Sequence, residues 1–143
     1  MIMLKQIIVA VAILLQVQIG SGYLFAQTGN ITRKEMLRGS VTPEREWWDV
    51  LHYNLKVEFL PDTKSLRGSN VITFKTLKAG NKMQIDLQSP LAITKVTHGT
   101  SQLKFEREEN AYWITFEKDL PKGAEDRIEV FYQGIPVESK NPP

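Results

Sequence analysis

From Trp48 onward the sequence alternates. Leu51, Tyr53, Leu55, Val57 and Phe59 are apolar, and His52, Asn54, Lys56 and Glu58 between them are polar. A period of two over nine residues predicts an extended strand with one face on a core and the other in water. The pattern then recurs in short blocks separated by turn formers. Strands are predicted at about residues 49–59, 66–77, 83–87, 93–98, 102–107, 111–116 and 127–132. The breaks fall at Leu60-Pro61-Asp62, Ala79-Gly80-Asn81, Ser89-Pro90, Gly99-Thr100-Ser101, Glu108-Glu109-Asn110 and Pro121-Lys122-Gly123, where Pro, Gly, Asn and Asp favour turns. Gly68, inside the second strand, predicts a bulge or a close approach of backbone. Seven short strands at roughly ten-residue spacing predict an all-β fold, an antiparallel β-sandwich or saddle-like sheet. In the sixth strand Trp113 has the opposite parity to Tyr112, Ile114 and Phe116, so it is expected on the other face.

The segments around this block read differently. Lys5 precedes the uncharged apolar run Ile7 to Leu15, and Gly20-Ser21-Gly22 breaks it. That run is shorter than the ~20 residues a membrane span needs, and the pattern predicts a secretory signal peptide over residues 1–26, cleaved after Ala26. An uncleaved anchor is the alternative. Residues 27–45 read as a linker with one short helix: Thr32 and Glu35 fit a capping box, and Gly39 is the expected stop. Asn30-Ile31-Thr32 is a glycosylation sequon, meaningful only in a eukaryotic secretory pathway. Residues 46–143 form the predicted β-domain. After its last strand, Gly134-Ile135-Pro136 and Asn141-Pro142-Pro143 cannot continue a sheet, so that strand is expected to present an open edge.

Composition removes several functions. The chain has no cysteine, which excludes disulfides, thiol chemistry and a lipoprotein anchor. Its 18 basic and 16 acidic side chains nearly balance, so neither nucleic acid nor an anionic membrane is the expected partner. His52 and His98 are the only histidines, and no H-E-x-x-H motif joins them. The acidic runs at Glu106-Arg107-Glu108-Glu109 and Glu117-Lys118-Asp119 mix both charges and read as solvated turns. No cofactor is expected in this chain. The remaining candidates are Trp47, Trp48 and Trp113, as a domain contact or core, or as an exposed platform for a sugar or peptide.

Leu37-Arg38-Gly39, Arg45-Glu46-Trp47-Trp48-Asp49-Val50 and His52-Tyr53-Asn54-Leu55 resemble the opening of bacterial secreted zinc aminopeptidases of the aminopeptidase N type, peptidase family M1. Leu66-Arg67-Gly68-Ser69-Asn70-Val71-Ile72-Thr73-Phe74, Met83-Gln84-Ile85-Asp86-Leu87, Leu120-Pro121-Lys122-Gly123 and Val130-Phe131-Tyr132-Gln133-Gly134-Ile135-Pro136 continue the likeness in order. It covers residues 37–143, and it rests on the order of the pieces rather than on any one of them. The resemblance implies the first part of an N-terminal, saddle-shaped β-domain that walls a substrate cleft. It also implies zinc in the full-length protein, a catalytic domain of the same polypeptide as partner, and peptide as substrate. The family's catalytic motifs match no position here, so no catalytic or metal residue is carried over. A self-sufficient exported β-sandwich that binds carbohydrate or peptide is the alternative, and an adhesion domain working by strand addition is a third class. Each reading places the product in the periplasm, at the cell surface or outside the cell, free of the membrane once the signal is cleaved.

Overall fold

A computed structural model describes residues 31–138. The expected signal peptide, its cleavage site, Asn30 of the sequon and the final Asn141-Pro142-Pro143 lie outside the described residues. Two short helices, α1 (Arg33–Gly39) and α2 (Pro43–Glu46), precede eight strands. These are β1 (Trp48–Leu60), β2 (Ser65–Thr76), β3 (Gly80–Asp86), β4 (Ala92–His98), β5 (Ser101–Gln102), β6 (Lys104–Glu108), β7 (Ala111–Leu120) and β8 (Glu125–Gly134). They form two antiparallel sheets, one of five strands in the order β1-β2-β8-β4-β5 and one of three in the order β3-β7-β6. The all-β sandwich expected from the alternation is present, with open sheets.

The eighth strand arises where one was expected over residues 102–107. Leu103 breaks it, because its buried side chain turns into the core and its N–H donates to the Val96 carbonyl at 2.9 Å. The chain crosses from the large sheet to the small one at that residue. Nothing in the alternation Leu103, Phe105, Arg107 announces the crossing. A second correction concerns edges. The last strand, β8, is interior, paired with β2 on one side and β4 on the other. Among the described residues the large sheet's edges are β1 on one side and, on the other, the two-residue β5 with the part of β4 it does not reach.

One apolar cluster joins the two sheets. Trp47, Ile72, Phe74, Val96, Ile128 and Val130 meet Met83, Tyr112, Ile114 and Phe116. Thr76, also buried, holds the loop before β8: its hydroxyl donates to the Pro121 carbonyl at 2.6 Å and accepts from the Ala124 N–H at 2.8 Å.

The described part of the stretch read as a linker carries the expected short helix, which packs on the outer face of the small sheet. Thr32 caps α1 with a complete capping box. Gly39 is the last helical residue, and Ser40, in extended backbone, forms the C-cap; no left-handed glycine is needed. Leu37 on α1 covers Ala111 and Trp113. Gln84, buried on the same face, donates to the Leu37 carbonyl at 3.1 Å and accepts from the Thr42 hydroxyl at 2.7 Å. Arg45 donates to the Leu37 and Ser40 carbonyls and pairs with Asp86. A buried glutamine on a strand's nominally polar side is satisfied here because the preceding segment folds over it.

Candidate functional site: an open apolar groove

The alternating row on β1 does not reach a core. Tyr53, Leu55, Val57 and Phe59 are all exposed, Leu55 at 61% and Phe59 at 72%. A bulge sets which face the row occupies, and the reach of the opposing sheet sets its exposure. A bulge between Val50 and His52 makes Leu51 the extra residue, so Val50 before it and Tyr53 after it share one face. The large sheet also outruns the small one. β1, β2 and β8 have 13, 12 and 10 residues, whereas in the small sheet only β7 reaches 10 and its neighbours β3 and β6 have 7 and 5. The small sheet therefore covers the end marked by Val50, Phe74 and Ile128 and leaves the far end of the same face open.

Between that open face and β3 lies a groove of about 700 Å³. Trp48, Tyr53, Leu55, Val57, Leu66, Ile72, Ile85, Leu87, Ile93 and Val130 form its apolar walls, with Arg45, Asp49 and Asp86 at one end. Two polar groups sit among the apolar ones. Asn70 opposes Leu55 on β1 and Val130 on β8, and its side-chain Oδ1 is buried without a hydrogen-bond partner. Leaving such an acceptor unmet costs about 1–3 kcal/mol. Tyr132 lies across Gly68, where a Cβ would stand 2.0 Å from the Lys56 carbonyl oxygen and 2.9 Å from the Tyr132 hydroxyl. Gly68 is thus a close approach rather than a bulge. The Tyr132 hydroxyl donates to the Lys56 carbonyl at 3.1 Å. Burial raises its pKa above the ordinary tyrosine value, so it stays a neutral donor at physiological pH.

The three tryptophans are not brought together. Trp47 is 3% exposed, edge-on to Phe74 and Phe116, and donates its indole N–H to the Lys82 carbonyl at 2.7 Å. Trp48 is half-buried, edge-on to Phe74, with its indole N–H on the Glu44 carbonyl at 2.9 Å; it alone of the three lines the groove. Trp113 points away from Tyr112 and Ile114, as its parity requires, and is covered by Leu37. His98 Nε2 lies 2.7 Å from Asp126 Oδ2, while His52 stands apart on β1. Among the described residues, no group of three or more His, Cys, Asp and Glu side chains is placed to hold a metal. The donor set of the described residues does not fit a zinc site, and the groove's lining is mainly apolar. The groove residues other than Trp48 were missed in the sequence as a site; the signal was the alternation of β1 itself, read as core.

No protein-family model matches the chain, and no curated protein matches it. Solved structures do. An M1 zinc metallopeptidase of Deinococcus radiodurans, a mutant bound to a Tyr-Ser-Ala substrate, superposes with a TM-score of 0.58 at 18% identity over 68% of this chain. A two-domain M1 zinc metallopeptidase mutant bound to L-tryptophan gives 0.56 at 21% identity over 66% of this chain. A further Deinococcus radiodurans M1 zinc metallopeptidase gives 0.56 at 20% identity over 63%. The matched portion is 23%, 22% and 21% of those chains respectively. About two thirds of this chain is therefore similar in fold to about a fifth of an M1 metallopeptidase.

Proposed function

We propose that this chain is part of the N-terminal β-domain of an exported M1-type zinc aminopeptidase. It serves as scaffold and cleft wall for a catalytic domain of the same polypeptide. The observation that carries the reading is the uncovered apolar face of the large sheet, in a fold similar to a fifth of an M1 enzyme. Contiguous apolar surface of this kind marks a contact surface. The unmet Oδ1 of Asn70 within it calls for a donor from whatever covers the groove. Residues 1–26 would direct export, residues 27–45 would lead in and dock, and residues 46–143 would form the partial domain.

In the complete enzyme, zinc held by the catalytic domain would polarise the scissile carbonyl and activate water. This chain's residues would contribute position. Tyr132, bonded to the Lys56 carbonyl across Gly68, ties β8 to β1 over the intervening β2. The partner would be the catalytic domain and the substrate a peptide, with no nucleic acid involved.

The purified chain, given zinc and an aminoacyl-anilide, is expected to release no more product than a blank. Zinc-dependent turnover that scales with chain concentration and disappears with chelator would contradict the assignment.

A further inference from the structure

Asn70 has the parity of Leu66, Ile72 and Phe74 on β2, so it stands on the strand's apolar face. Its cross-strand neighbours there are Leu55 on β1 and Val130 on β8. The side-chain Oδ1 is buried and has no hydrogen-bond partner among the described residues. A leucine of similar size would continue the apolar face and leave nothing unmet. β2 instead keeps an amide that the described fold does not use, and an unmet buried acceptor is a cost to that fold. A single amide within an apolar contact is an attested device for fixing a partner's register.

We propose that Asn70 is the recognition residue of the groove. Its Oδ1 accepts one N–H from an otherwise apolar segment of the same polypeptide and so fixes where that segment sits. The inference rests on the scaffold reading above, which supplies the partner. Two observations set the occupant. The chain leaves β8 at the groove's open end, where Gly134 opposes the lining residue Leu66. It then runs to Glu138, whose carboxylate pairs with Lys64 at 3.3 Å beside the β1–β2 turn. Polypeptide that follows therefore starts beside the groove. At the other end Arg45 is already paired with Asp86, so Asp49, which also lines the groove, is left to meet a basic flank.

Two measurements on the 143-residue chain test the role of Asn70. Indole is a flat apolar probe with a single N–H donor, and 1-methylindole has the same body without the donor. Indole is expected to bind about fivefold more tightly, with NMR shifts at the Asn70 side-chain amide and at the Leu55 and Val130 methyls. Asn70→Leu is expected to abolish that preference, which closes a cycle on one hydrogen bond. In urea titration the same variant, relieved of an unmet acceptor, is expected to lower the unfolding equilibrium constant about tenfold. Equal binding of the two probes by the unaltered chain, a preference that survives in Asn70→Leu, or an unfolding constant that does not fall in that variant would overturn the proposal. The probe comparison on the unaltered chain decides the matter even if Asn70→Leu fails to fold. A stop codon directly after Pro143 would remove the proposed occupant together with the aminopeptidase reading, whereas the role of Asn70 as acceptor stands or falls on these two measurements.

Discussion

Trp47 and Leu55 show how burial, rather than residue type, assigns weight in this fold. Both stand where the sequence suggests an apolar contact. Trp47 is enclosed by Phe74 and Phe116 and hydrogen-bonded to Lys82; Leu55 faces water. Trp47→Ala is expected to lower unfolding free energy by about 3–5 kcal/mol, and Leu55→Ser to change it by less than about 0.5 kcal/mol. Urea titration of both variants checks the contrast, and a multi-kilocalorie loss at Leu55 would mean that the face is covered within this chain. Gly80 gives a second case. A Cβ there would lie 2.5 Å from the Trp47 ring, so Gly80→Ala is expected to cost about 1–3 kcal/mol through overpacking, read in the same titration. The sequence marked Trp47 as core or contact and Trp113 as facing away from Tyr112, because parity carries that information. It could not show that Leu37, some 75 residues upstream of Trp113, supplies the cover.

At the scale of elements, the docking of α1 depends on carboxylates and therefore on pH. Glu35 has its pKa lowered by hydrogen bonds from the Thr32 backbone and hydroxyl, and Glu108 by its bond with Arg33. The Arg33 guanidinium reaches both Glu108 oxygens at 2.9 Å. A carboxylate whose pKa is lower in the folded state stabilises above its unfolded pKa, and loses that contribution as pH falls through the folded value. Both groups are exposed, so the effect is modest and screened by salt. Acidification from neutral is expected to leave α1 docked until the ordinary glutamate range near about 4.3, then to loosen it. The indole N–H signal of Trp113 reports the change; a shift centred on pH 6–7 would point to another group. The helix was legible from Thr32 and Glu35 alone. Its place on the small sheet was not, because Gln84, which receives it, looks like an ordinary polar strand residue. Strand positions were legible to within a few residues because turn chemistry brackets them. The β5/β6 crossing and the interior place of β8 depend on long-range pairing that no local pattern encodes.

At the scale of the molecule, two sheets of unequal length explain why the fold is cohesive yet shows an apolar face. The alternation of β1 correctly gave a strand with one apolar side. Whether that side is covered depends on how far the opposing sheet reaches, and the small sheet stops short. That open face with its unmet Asn70 acceptor, in a fold similar to a fifth of an M1 metallopeptidase, is the basis of the proposed scaffold role. The most direct measurement is to sequence the source gene beyond the Pro143 codon. The account predicts an open reading frame that continues through further β-strands to an H-E-x-x-H motif with a downstream glutamate ligand. A stop codon directly after Pro143 would contradict it, and the groove lined by Trp48 and Tyr53 would then be read as the binding surface of a self-sufficient β-module.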